Sequence, residues 1–131
     1  NKDLGRKAGE HFEELAATDT IREVHPFLMS IFAPANHKFL QSYIAYDPAA
    51  MIKKVNVPTL IINGDADLQV RVEDARRLQQ AKPDAELVII SGMNHLLKEV
   101  NTIQENRQSY FDERYPLSGA LVSAISGFIK K

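Results

Sequence analysis

Two stretches decide the fold: Val57-Pro58-Thr59-Leu60-Ile61-Ile62-Asn63-Gly64-Asp65-Ala66-Asp67-Leu68-Gln69-Val70 and Glu86-Leu87-Val88-Ile89-Ile90-Ser91-Gly92-Met93-Asn94-His95. In each, a short, continuous, apolar and β-branched run is closed by a glycine turn. Such a run suits a strand covered on both faces, whereas a strand wet on one face would alternate apolar with polar residues. Between them, Glu73 to Lys82 reads as a helix with Val72, Ala75 and Leu78 inward. Acids stand in its first turn, Lys82 in its last, and Pro83 stops it. Strand, helix and strand at this spacing predict a βαβ unit, and its strands should be parallel.

Upstream, Leu4, Ala8, Phe12 and Leu15 recur at helical spacing with charged residues between them, which predicts an amphipathic helix. Thr20-Ile21-Arg22-Glu23 has capping-box spacing, and Phe27, Leu28, Ile31 and Phe32 follow His25-Pro26, so a second helix is expected to start in this region. Ala33-Pro34-Ala35-Asn36 ends it. A third apolar stripe runs through Phe39, Leu40, Tyr43 and Ile44, and Asp47-Pro48 reads as the N-cap and first residue of a short turn through Ile52. Downstream of His95 the chain is polar and weakly patterned to Pro116. A final helix is expected to place Leu117, Leu121, Ile125 and Phe128 on one face. The expected division is a helical segment over 1–54 and an α/β part over 55–131. Two strands of the central type leave unpaired backbone groups and bare apolar faces, so further strands are expected from a segment ahead of Asn1 or from a second copy of the chain.

The 131 residues include 16 basic and 17 acidic side chains, a formal net charge of -1. This balance offers no excess positive field for a phosphate backbone or an anionic lipid surface, so nucleic-acid and membrane-surface partners are disfavoured. No apolar run reaches the length of about 18 residues that predicts a membrane span. Without cysteine there is no disulfide framework, thiolate metal site or cysteine nucleophile.

In open parallel sheets the loops at the carboxyl ends of the strands gather the functional groups. Those loops hold Asp65 and Asp67 after the first strand and His95 after the second. Side by side, they would let a carboxylate hold the imidazole in one tautomer and stabilise the imidazolium that forms when it takes a proton. Either aspartate could be that acid. The pair could instead bind a divalent cation, but two carboxylates without further oxygen ligands are a weak metal signal. An aspartate after a strand is also commonly a turn former.

The stretches VPTLIINGDADLQV and ARRLQQAKPDAELVIISGMNH resemble the late strand, helix and strand of the α/β-hydrolase superfamily. That family has an apolar strand ending in Gly-x-x-Asp, a helix, a second apolar strand and a catalytic histidine in a glycine-containing loop. Gly64 and Asp67 match the first part; Gly92 and His95, 28 residues after Asp67, match the second. The match covers residues 55 to 100 most closely, and residues 1–54 resemble the family's variable helical cap. The resemblance implies the carboxyl-terminal portion of an α/β-hydrolase fold, its last two parallel strands with flanking helices, preceded by a cap segment. It also implies a serine hydrolase acting on an ester, thioester or amide of a small molecule or peptide, with Asp67 and His95 as triad acid and base and no cofactor. The family's serine sits in a Gly-x-Ser-x-Gly elbow. None of the seven serines here has glycines two residues away on both sides, so the nucleophile and the oxyanion hole are expected upstream of Asn1. Arg71 stands where many relatives carry proline, which bears on the helix start. The resemblance therefore also implies association with an amino-terminal part, with a homo-oligomer as the alternative.

The remaining histidines read differently. His11 beside Phe12, His25 before a proline and His37 at a helix start are expected at the surface or in caps. The aromatic and aliphatic stripe of Phe27, Leu28, Met29, Ile31, Phe32, Phe39, Tyr43 and Tyr46 suits core packing, or else the lining of an acyl or aryl pocket. A rival of another class is a noncatalytic binding or assembly module on the same core, which predicts no coupling between Asp67 and His95. A relative that uses the fold without hydrolysis is a further alternative.

Overall fold

A computed structural model describes residues 2–131, which form two compact units dividing between Asp47 and Pro48. This division falls ahead of position 54 because the short helix α4 (Pro48–Ile52) packs on the α/β unit, where Ile52 joins the cluster around Ile61.

The first unit is helical: α1 (Lys2–Thr18), α2 (Met29–Phe32) and α3 (His37–Ile44). Its core is Leu15, Ile21, Leu28, Phe32 and Leu40, with Leu4, Ala8 and Phe12 packed against it, so the predicted stripe of α1 does face inward. The capping-box signal at Thr20 starts no helix. Pro26 has no N–H to donate to Arg22 and holds His25 extended, at ψ 130°, which stops propagation from Ile21. A 3-10 turn over Pro26–Leu28 begins instead, capped by His25 Nδ1, which accepts from the Phe27 N–H at 3.3 Å.

The surface expectation fails for His11 and His37, both of which are buried. His11 Nε2 accepts the His25 N–H at 3.1 Å and its ring meets Phe32 edge-on, while His37 Nε2 donates to Phe32 O at 3.0 Å. Each imidazole closes a backbone group that burial would otherwise strand. The apolar stripe splits: Leu28 and Phe32 are buried, whereas Phe27, Met29, Ile31, Phe39, Tyr43 and Tyr46 lie at the surface.

The second unit is the expected mixed α/β arrangement: β1 (Leu60–Gly64), α5 (Val72–Ala81), β2 (Glu86–Ile90), α6 (Ile103–Gln108) and α7 (Gly119–Ile129). The strands are parallel, with Ile61 opposite Leu87 and Gly64 opposite Ile90. Alternation along them serves two layers. Ile61, Leu87 and Ile89 pack toward Ala75 and Leu78 of α5; Ile62, Val88 and Ile90 pack toward Leu121 of α7. This two-sided cover explains why the runs are apolar without interruption. Lys82 caps α5 from just outside it, buried and paired to Asp84 at 2.7 Å. Of the four apolar positions assigned inward in the last helix only Leu121 is buried; Leu117 precedes the helix and Ile125 is exposed. Two strands give α7 a floor only wide enough for part of its face. No described helix is long and apolar enough to cross a membrane.

Candidate active site

β1 ends in a turn because Gly64 permits one. A Cβ there would lie 1.8 Å from the Met93 carbonyl oxygen, so only glycine lets the two loops approach. The turn closes with the Asp67 N–H on Gly64 O at 3.3 Å, and the Ala66 N–H reaches Met93 O at 3.2 Å. On the other loop, Gly92 takes φ +70°, a left-handed conformation glycine adopts at little cost, and accepts the Val100 N–H at 2.8 Å. Both loops therefore leave the carboxyl ends of adjacent parallel strands and lie against each other.

The two aspartates separate by role. Asp65 Oδ1 accepts the Gly92 N–H at 2.7 Å and ties the loops together. Asp67 Oδ2 lies 2.9 Å from His95 Nδ1. Its other oxygen, Oδ1, accepts the N–H groups of Gln69 at 2.8 Å and Val70 at 2.9 Å. Asp67 is thus a turn former through one oxygen and a histidine partner through the other. Its side chain is only 7% exposed, and that burial works to raise its pKa. The bonds from Val70, His95 and Gln69 outweigh burial and hold the carboxyl below the usual aspartate range. The His95 side chain is 39% exposed, and among the described residues no hydrogen bond engages its Nε2. No described group of three or more histidine and acidic side chains is arranged to hold a metal ion.

Joined to the same two loops is a buried polar cluster that the sequence did not disclose. Asn94, Asn106 and Ser109 are buried, and Asn94 Nδ2 donates to Asn106 Oδ1 at 3.2 Å and to Ser109 Oγ at 2.8 Å. Lys98 Nζ donates to the carbonyls of Ser109 at 2.7 Å and Asp112 at 3.0 Å. Asn106 and Ser109 come from α6 and the residue that ends it, in the stretch expected to be weakly patterned. A signal was present: Thr102-Ile103-Gln104-Glu105 has capping-box spacing, and Thr102 Oγ1 does accept the Glu105 N–H at 3.1 Å. Asn63, at the end of β1, is buried too, and its Nδ2 approaches Val70 O at 3.4 Å from the far end of the acid loop.

A cleft of about 430 Å³ opens beside the acid loop between Asp65, Leu68, Gly92, Asn101 and Ile103. A larger one, about 770 Å³, sits between residues 53–58 and 81–84, at the amino-terminal ends of both strands and therefore away from Asp67 and His95. Size does not select the site here; the placement of titratable groups at the carboxyl ends of the strands does. No protein-family model matches this sequence, and a search of curated proteins finds no match.

Proposed function

We propose that this chain supplies the acid and the general base of an α/β-hydrolase type catalytic triad, in a serine hydrolase that cleaves an ester, thioester or amide. The observation that carries the reading is the 2.9 Å bond between Asp67 Oδ2 and His95 Nδ1, with Asp67 Oδ1 held by two backbone N–H groups. An ionised Asp67 fixes the Nδ1–H tautomer, leaving Nε2 to accept a proton. In the proposed reaction Nε2 takes the hydroxyl proton of an attacking serine as its oxygen bonds to the carbonyl carbon. The imidazolium, stabilised by Asp67, then returns that proton to the leaving oxygen, sulfur or nitrogen as its bond to the carbonyl carbon breaks, and a water activated by the same Nε2 attacks the acyl-serine, releasing the acid and restoring the serine hydroxyl. The serine and the oxyanion donors are assigned outside residues 1–131, since no serine here stands in an elbow. The noncatalytic module predicts no coupling between Asp67 and His95, and their bond favours the catalytic reading over it.

The test uses a fluorophosphonate probe and a p-nitrophenyl ester. The 131-residue chain should show no serine labelling and only background cleavage. In a polypeptide joining it to its serine, one serine outside these residues should label, and Asp67→Asn should lower kcat by about 10⁴-fold without unfolding. Stoichiometric labelling of a serine within 1–131, or undiminished turnover in Asp67→Asn, would overturn the reading.

A further inference from the structure

Asn106 serves both loops with one amide group. Its Nδ2 donates to Ala66 O at 2.6 Å, and its Oδ1 accepts from Asn94 Nδ2 at 3.2 Å. Ala66 immediately precedes Asp67, and Asn94 immediately precedes His95. A planar side chain therefore spans from the backbone of the acid loop to the residue that organises the base loop.

The span is stiff. Asn106 is 5% exposed and Asn94 1%, so water scarcely competes for their hydrogen bonds. Ser109 Oγ accepts from Asn94 Nδ2 and donates to Asn106 O at 2.7 Å, closing a ring through Asn94, Ser109 and Asn106. At the other end of the Asn94 amide, Oδ1 accepts the N–H groups of Leu96 at 3.0 Å and Lys98 at 3.1 Å. The main chain of Asn94 adds bonds to Leu97 and Lys98, at 2.9 and 3.0 Å. Between them Leu97 is held at φ +62°, a conformation a leucine does not adopt unless its surroundings impose it. The base loop is thus wound around the Asn94 amide, and Asn106 fixes that amide relative to Ala66.

We propose that Asn106 is a positioning residue that sets the separation of Asp67 and His95 by tying Ala66 to Asn94. Its catalytic consequence rests on the reading of that pair as acid and base; the positioning itself does not. Removing the tie takes the Asn106 donor from Ala66 O and leaves Asn94 Nδ2 with Ser109 Oγ alone, and a shift of about 1 Å between reacting groups can cost about 10²-fold in rate.

The experiment is proton–nitrogen NMR on the labelled 131-residue chain, reading the His95 Nδ1 proton, which Asp67→Ala assigns by abolishing it. The wild type should show a low-field signal that exchanges slowly with water. Asn106→Ala should lose it while the backbone amide spectrum stays dispersed. Asn106→Asp should lose it too, since a carboxylate cannot donate to Ala66 O although its volume is kept. Thr102→Ala weakens the same helix but keeps Asn106, and should retain the signal. The proposal is overturned by a signal that survives in either folded Asn106 variant, by equal loss in Thr102→Ala, or by absence of the signal in the wild type. Unfolding of both Asn106 variants also overturns it, because the residue is then structural. No substrate or serine enters this measurement, so a signal that survives in an Asn106 variant or is lost equally in Thr102→Ala sinks the positioning and leaves the hydrolase reading to the probe and ester assay; absence of the signal in the wild type removes the bond on which both rest, and failure of the assay alone leaves the positioning intact.

Discussion

At Asp67 the two carboxylate oxygens divide the work: Oδ1 closes the turn on Gln69 and Val70, and Oδ2 meets His95. The turn bonds matter to the histidine because they fix the plane of the carboxylate, so that Oδ2 can aim at only one neighbour. They also set a pH dependence. Burial opposes the charge on Asp67, but the bonds from Val70, His95 and Gln69 prevail, and the folded pKa lies below the ordinary 3.8. The unfolded chain then binds protons more readily than the folded one, so stability rises with pH across this window. The contribution of Asp67 is complete above the unfolded value and is lost as pH falls through the folded one. Asp67→Asn should therefore flatten the acid limb of the stability curve below about pH 4. Glu10, Asp84 and Asp112, also held low, should leave a residual slope in the variant. Thermal melts in steps from pH 6 downward read this directly; an Asp67→Asn curve as steep as the wild type would contradict it.

At the scale of the element, α6 is six residues long and owes its existence to its ends and to its buried polar face. A helix this short is not stable on propensity alone. Thr102 accepts the Glu105 N–H, Glu105 accepts the Asn101 N–H at 2.7 Å, and Asn106 anchors the middle to Ala66. Thr102→Ala should cost about 1 kcal/mol. Urea unfolding should show a lower midpoint at unchanged slope, and an unmoved midpoint would mean the helix is held by Asn106 alone. The same Thr-x-x-Glu spacing at Thr20 starts nothing, because Pro26 follows in the first turns of the would-be helix. A capping box is thus readable only together with the residues that must propagate it.

At the scale of the molecule, among the described residues the sheet has two strands, so each keeps an edge without a strand partner. α7 adds an apolar back: Val122, Ile125 and Ile129 are exposed on a helix of almost wholly apolar composition. Such edges and faces favour association. Light scattering should report a mass above the 14.7 kDa of one chain, rising with concentration. A monodisperse monomer across the range would show that α5 and α7 suffice to protect the sheet. The parallel βαβ unit was legible in the sequence because it is written in local periods: two short apolar runs, a 3.6-residue stripe between them, and a crossover that forces parallel strands. Gly64, Asp67, Gly92 and His95 were legible from their place after those strands, though spacing alone allowed Asp65 as well as Asp67 to face the imidazole. Only the tertiary structure decided between them, seated His11 and His37 in the interior, and joined Asn94 to Asn106 and Asn106 to Ala66. The physical reason is that a side chain in a turn or short helix is aimed by partners far along the chain. Ala66 and Asn106 stand 40 positions apart, and the sequence between them carries no periodic signal of the 2.6 Å bond that folding makes between them.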